Sequence, residues 1–246
     1  MASQRVFVTT EQIQNNRVSI VGSDVHYIAH VLRLKPGDAI DILDDRQRVY
    51  ATVIEKMEKG RIYCTVKELR NLKSEPFIKV TIAQGIPKGK KMDQIIRQTT
   101  ELGVHAIIPM HTERSIPKLD GEKREEKRAR WQKIAKEAAE QSGRLLFPSI
   151  SLPQKFSEVL ARAGDFSAAI LFWEGAEKTT LKHYLQSIDQ PSSILIIIGP
   201  EGGFSRAEVE EVRAAQIPAI TIGRRVLRTE TAPIVALAMI LYALEL

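Results

Sequence analysis

A chain of 246 residues has room for one large domain or two modest ones, and its 43% hydrophobic and 27% charged side chains read as an ordinary soluble protein. The single cysteine excludes an internal disulfide and a cysteine-based zinc cluster, and the formal net charge of +6 permits binding to a polyanion. No basic start leads into a long apolar region and no stretch reaches the length of a membrane span, so a cytoplasmic protein is expected.

In chain order, the first seventy or so residues hold short β-rich runs at 5–8, 39–43 and 51–54, separated by turn signals such as Lys35-Pro36-Gly37-Asp38 and Lys59-Gly60. So many short strands in so small a span favour a barrel. One helix interrupts them, from a Ser23 cap through Arg33, and its spacing predicts that Ile28, Val31 and Leu32 are buried. His26, His30 and Arg33 fall on another face. Two histidines one turn apart lack the third protein ligand that a catalytic zinc needs, so a structural or RNA-contacting role is favoured and no metal is assigned. Cys64 lies in the alternating run 61–66, where a core-facing thiol is expected. Residues 71–76 form the linker candidate. After it strands at 80–83, 106–109, 168–172, 193–198 and 219–222 alternate with helices at 91–102 and about 120–142. That alternation predicts an α/β unit with a largely parallel sheet, whose ligands gather at the C-terminal ends of the strands.

The most apolar run of the chain, residues 194–198, ends in Gly199-Pro200-Glu201-Gly202-Gly203, and a second apolar strand ends at Gly223. Glycine leaves backbone N–H and C=O groups open to a ligand, so two such loops in succession predict a pocket built mainly from backbone. No G-x-G-x-x-G opens a helix after a strand, and residues 85–91 lack the spacing of a phosphate loop, so dinucleotide and triphosphate sites are not favoured. Ser205-Arg206-Ala207-Glu208 has the form of a capping box, Thr231 is the expected cap of the last helix, and Ile234, Leu237, Ile240 and Leu241 form its apolar stripe. Basic residues concentrate in the middle of the chain, where 77–144 hold 15 basic and 9 acidic side chains and so supply the whole net charge. A phosphate-binding face should therefore draw on Lys88, Lys90, Lys91, Arg97, Arg114 and Lys118, whereas 123–136 read as the solvated face of a long helix.

The segments GPEGGFS and IGRRVLRTETAP, with Lys88-Gly89-Lys90-Lys91-Met92, Thr100-Glu101-Leu102-Gly103 and His30-Val31-Leu32-Arg33 in the same order along the chain, resemble the RsmE family of 16S ribosomal RNA methyltransferases. The resemblance covers essentially the whole chain. It implies a PUA-like β-barrel RNA-binding domain over 1–72, a SPOUT domain with a deep trefoil knot over 77–246, a homodimer formed through the SPOUT domain, and methylation of N3 of a uridine in 16S rRNA of the small ribosomal subunit with S-adenosyl-L-methionine as donor. Carried over to this sequence, it places Gly199, Glu201, Gly202, Gly203, Ile222, Gly223, Val226 and Leu227 on the cofactor, with Phe172 to Glu174 as a third loop. Phe204 stands where the resemblance leads one to expect leucine. Arg5 and Arg33 fall on the RNA side beside the basic residues of the middle segment.

A uridine N3 carries a proton at neutral pH, which must pass to a base or be lost with help from nearby cations. Arg228 and Glu230 follow the second loop directly and offer a cation and a carboxylate for this work, or a salt bridge that only holds the loop. Glu201 is equally open between touching substrate and capping its own turn. Two other readings stand beside the uridine methyltransferase: a knotted methyltransferase with another rRNA or tRNA acceptor, and a non-catalytic RNA-binding assembly factor.

Overall fold

Hydrogen-bond pairing divides the strands between two sheets, and the chain divides correspondingly into two units, one comprising the residues up to Glu75 with Ala139–Leu146 and the other Pro76–Ala138 with Phe147–Leu246. The structure is a computed structural model that describes residues 4–70, 72, 75–115, 121–176 and 180–245. Lys118, Asp120 and linker residues Asn71, Lys73 and Ser74 lie outside the described residues.

The N-terminal unit comprises β1 (Arg5–Phe7), β2 (Ile13–Gln14), β3 (Arg17–Val21), α1 (Ser23–His26), β4 (Ala39–Leu43), β5 (Val49–Glu58) and β6 (Arg61–Arg70). The strands pair in the order β1-β4-β5-β6-β3-β2, antiparallel except for the parallel pair β1 and β4. Alternation puts Val18, Ile20, Ile40, Ile42, Ile54, Ile62 and Cys64 in one core. Burial pushes the Cys64 thiol up to about 11, so it is an inert packing group. The expected helix at 23–33 differs in detail. Gly22, at φ 77°, occupies the N-cap position and Ser23 is already helical; after one α-turn, Tyr27–Val31 continues as a π-helix. A π-turn holds more residues than an α-turn, so the buried face shifts phase. Ile28 remains fully buried, while Val31, expected inside, is 60% exposed.

Asp44 is the fixed point of the β4–β5 turn. It is fully buried and accepts from the backbone amides of Arg46 and Arg48, the Arg48 guanidinium and the Tyr50 hydroxyl. Burial alone would raise its pKa, but the Arg48 side chain and the two amides together outweigh it and hold the carboxyl below its usual range. The segment 139–146 joins this unit because Ala139 and Leu145 pack against Phe7, Leu43 and Val49, while Glu75 clamps Arg144 at 2.6 Å and the amides of Leu145 and Leu146.

The second unit follows the predicted alternation: β7 (Lys79–Gly85), α2 (Lys91–Leu102), β8 (Ala106–His111), α3 (Glu122–Ser142), β9 (Ser149–Ile150), β10 (Gln154–Lys155), α4 (Phe156–Ala161), β11 (Ala168–Phe172), α5 (Leu181–Ser187), β12 (Ser193–Ile198), α6 (Arg206–Ala214), β13 (Ala219–Ile220) and α7 (Ala232–Glu245). The main path of its seven-stranded sheet runs β10-β8-β7-β12-β11-β13, with β9 also on β8, and every pairing is parallel. Central β7 and β12 are buried on both faces, which is why 194–198 read as an unbroken apolar run. One face packs on α2, α3, α5 and α7, through residues including Met92, Trp131, Leu181 and Leu237, and the other on α4 and α6, through Phe156, Val209 and Val212. The capping box at Ser205 forms as expected, and its Glu208 also accepts from the Glu113 amide at 2.8 Å. Thr231 accepts the first α7 hydrogen bond from Val235. Leu237 and Ile240 of the α7 stripe are buried, and Ile234 and Leu241 half-buried. Among the described residues no helix is long and apolar enough to cross a membrane.

Close packing at the tip of β7 leaves no room for a side chain at Gly85, where a Cβ would lie 2.5 Å from Pro200 Cδ and 2.6 Å from its backbone nitrogen. Gly85→Ala is expected to cost about 2–3 kcal/mol of stability in urea unfolding, as overpacked cores do. Asp44→Asn is expected to cost about 2 kcal/mol at pH 7 through weakened charged hydrogen bonds. Because the folded carboxyl titrates below its unfolded value, that gap should be full above about pH 4 and shrink as pH falls through the folded pKa, measured by unfolding wild type and variant across pH.

Candidate functional site

The C-terminal ends of β11, β12 and β13 converge on a cleft of about 490 Å³. Its floor is set by register, since Phe172 lies opposite Ile198 on one side and Ile220 on the other. The two glycine loops leave strands that are not adjacent, and β11 lies between them. Loop 173–176 therefore supplies Trp173 and Glu174 to the same cleft.

What holds the loops is beneath them. Gln84, fully buried near the end of β7, points its amide nitrogen at the carbonyl of Gly199 (3.3 Å), the hydroxyl of Thr229 (3.1 Å) and the carbonyl of Gly85 (3.0 Å). Thr229 in turn donates to Gly199 at 2.8 Å. One strand tip thus ties the first loop to the second. The first loop closes on itself through Gly203 N–H to Pro200 C=O, and Arg114 braces it from the β8 side by donating to the Gly202 carbonyl at 2.7 Å. In the second, the Thr221 hydroxyl accepts from the Gly223 amide and donates to the Gly223 carbonyl, closing a tight turn. Phe204 packs its ring against Phe156 with centroids 5.6 Å apart and seals the underside.

At the rim, Lys91 at the start of α2 reaches Glu201 Oε1 at 3.0 Å and Glu230 Oε2 at 3.3 Å. Its ammonium is held above its ordinary pKa first by the Glu201 hydrogen bond and then, against the opposing effect of burial, by Glu230. Burial pushes Glu201 up, but Lys91, its own amide and the Lys88 amide together hold it below the usual carboxylate range. Glu201 thus caps amides and binds a lysine at once. No ion pair joins Arg228 to Glu230 among the described residues. Arg228 is exposed and lines the cleft, while Glu230 turns to Lys91.

Phe172, Glu174, Gly199, Glu201, Gly202, Gly203, Ile222, Gly223, Val226 and Leu227 all line the cleft, as does Lys91. Lys90 and Arg97 sit apart from it on the α2 surface beside Asp93, Gln94, Gln98 and Glu101. Arg5 and Arg33 belong to the N-terminal unit, where Arg5 donates to the Gly143 carbonyl and Arg33 is exposed at φ 55°. No group of three or more metal-ligating side chains occurs among the described residues. Sequence reasoning missed Gln84, Thr229 and Gly85. The available signal was a glutamine closing an otherwise apolar strand.

The profile of an RNA methyltransferase domain matches residues 73–241 and that of an RNA methyltransferase PUA domain matches 21–67. Over 99% of its length the chain is 40% identical to ribosomal RNA small subunit methyltransferase E of Bacillus subtilis, covering 98% of that protein. A putative methyltransferase of Legionella pneumophila, solved with its cofactor SAM, superposes with a TM-score of 0.91 at 28% identity, covering 99% of this chain and 98% of that one. The Neisseria gonorrhoeae ribosomal RNA small subunit methyltransferase E, bound to S-adenosyl methionine, superposes at 0.86 with 28% identity over 98% and 97%. The chain belongs to the RsmE family of RNA methyltransferases.

Proposed function

We propose that this protein is an S-adenosylmethionine-dependent methyltransferase that modifies N3 of a uridine in the 16S rRNA of the small ribosomal subunit. The observation that carries the reading is the convergence of three strand-end loops on one cleft floored by Phe172, Ile198 and Ile220. The fit to a cofactor is testable at Gly223. Beyond its chain neighbours, a Cβ there would meet no atom of the described residues within 4 Å, so they do not demand glycine, and the open space is where a ligand would approach the backbone. Main-chain groups at 199–203 and 222–227 would hold the cofactor, with Val226 and Leu227 as apolar walls and Phe172 and Glu174 at the third side. When bound, it supplies a methyl group on an electron-poor sulfonium.

The chain's own residues position the acceptor, exclude water and manage its proton. Glu230 takes the N3 proton, and Arg228, without a carboxylate partner among the described residues, offers positive charge to the nucleotide. Arg5, Arg33, Lys88, Lys90, Lys91, Arg97 and Arg114 belong to the RNA-facing set in this reading, as do a PUA-like RNA-binding domain over 1–72 and a SPOUT domain over 77–246. A trefoil knot in the second unit and a barrel in the first belong to the same reading, although the six strands of the first unit pair as β1-β4-β5-β6-β3-β2 with no pairing between the end strands β1 and β2 among the described residues. A homodimer accounts for α7, which is apolar around its circumference although Tyr242 is 73% and Met239 37% exposed. A ribosomal substrate places the protein in the cytoplasm.

Gly223→Val should unfold in urea within about 0.5 kcal/mol of wild type, because no described residue beyond its chain neighbours lies within 4 Å of the added Cβ. Its affinity for S-adenosylmethionine, measured by calorimetry, should fall at least about a hundredfold, the equivalent of about 2.7 kcal/mol. Normal binding by a folded Gly223→Val protein would remove the cleft assignment. Nucleoside mapping of rRNA and tRNA from cells lacking the protein should show N3-methyluridine missing from small-subunit rRNA alone.

A further inference from the structure

The second glycine loop is pinned at both ends and open in the middle. At its start the Thr221 hydroxyl closes a turn on Gly223, and at its end buried Thr229 is tied to Gly199 and Gln84. Between these ties Arg224, Arg225, Val226 and Arg228 are exposed, and all four line the cleft. The three guanidinium groups make no hydrogen bond or ion pair among the described residues. Residues 145–246 hold 9 basic and 11 acidic side chains, so a third of the basic ones stand within five positions of a single loop. The negative balance of the segment hides that concentration.

Electrostatics decides what these arginines face. Among the other charged residues that line the cleft, Lys91 and Glu201 pair at 3.0 Å, which leaves Glu174 to set against the three arginines. S-adenosylmethionine carries a sulfonium and an ammonium against one carboxylate and is therefore a net cation. Its carboxylate cannot balance the loop, and the like charges oppose its approach. An RNA strand has the opposite character, with a phosphodiester anion at every nucleotide, and it has to reach this cleft to be methylated. We propose that Arg224 and Arg225 bind backbone phosphates next to the target nucleotide and grip the strand while its base enters the cleft, with Arg228 left to the reacting nucleotide itself. A planar guanidinium fork matches the paired oxygens of a phosphate. Because both ends of the loop are already fixed, little of the grip is lost to ordering the backbone. This rests on the reading of the cleft as a methyl-transfer site for RNA and adds two contacts to it.

Each cation that neutralises a phosphate of a single strand releases counterions and adds about 0.7 to the slope of log affinity against log salt. The double variant Arg224→Ala/Arg225→Ala should therefore bind a short oligouridylate, followed by fluorescence anisotropy, with a slope shallower by about 1.4 and with about tenfold lower affinity near 0.2 M salt. Arg224→Lys/Arg225→Lys keeps both charges and should keep the slope. The alanine variant should raise KM for small-subunit rRNA by about tenfold while kcat at saturating RNA stays within about twofold of wild type. Its S-adenosylmethionine affinity in calorimetry should be unchanged or tighter, and its urea midpoint unchanged. Arg162→Ala/Arg213→Ala removes the same charge from exposed arginines that pair with Asp165 and Glu210 and do not line the cleft, and should leave the slope at its wild-type value.

A wild-type slope in the double alanine variant, or an equal loss in the Arg162/Arg213 control, would overturn the proposal. So would weakened S-adenosylmethionine binding, which would hand the arginines to the cofactor carboxylate. Failure of the wild-type protein to bind S-adenosylmethionine or to methylate rRNA would instead remove the reading of the cleft, and the salt slope would still decide whether Arg224 and Arg225 hold phosphates.

Discussion

Two loops can grip one small ligand only if their backbones are held at a fixed separation, and a single buried amide does this. Gln84 reaches a backbone carbonyl of the first loop and a side-chain hydroxyl of the second from the strand that runs beneath both. Water is excluded there, so each bond is worth about 1 kcal/mol net and the partners cannot exchange it for solvent. The arrangement leaves Gln84 Oε1 buried without a partner among the described residues, a cost of about 1–3 kcal/mol that an apolar residue would avoid. Gly85, the next residue, has to be glycine because Pro200 lies directly on it. The end of β7 is thus shaped by the loops above it rather than by the sheet it belongs to.

What was legible in the sequence was whatever is enforced locally or by a single repeated pattern. The run 194–198 is apolar because β12 is buried on both faces, and the Ser205 box forms because its donors and acceptors lie within four residues of each other. The ten expected cofactor positions, all of which line the cleft, could be found because glycines at strand ends, and a family resemblance built on them, mark where backbone is exposed. The unread features join distant segments. Nothing near Ala139 announces that the end of α3 packs with β1 and β4, and nothing in 91–102 announces that Lys91 joins Glu201 to Glu230. The π-turn at Tyr27–Val31 was missed because a 3.6-residue period cannot register an inserted residue.

Charge tells a similar story at coarser grain. The excess of basic residues in 77–144 pointed to a phosphate-facing surface, yet several of these side chains are engaged within the protein. Arg114 supports the Gly202 carbonyl and Lys91 lies between two carboxylates, both at the site, while Arg130 pairs with Asp93 away from it. Net charge counts them all alike. Only contacts separate a cation that holds a loop from one such as Arg228, whose guanidinium has no protein partner among the described residues.

The placement of β7 and β12 side by side at the centre of the sheet has a bearing on how the protein is made. Ile82 pairs with Ile196, so β7 leaves the ribosome long before its partner exists. At about 5–20 residues per second the wait is on the order of ten seconds, during which an apolar strand edge stands open. α2 and β8 follow closely enough to shelter part of it in the interval, and the two glycine loops of the cleft arrive only after β12, followed by α7. Newly made chains should therefore pass through a half-built sheet that has neither a cleft nor a closed edge, and chaperones that shield apolar strands have their longest opportunity there.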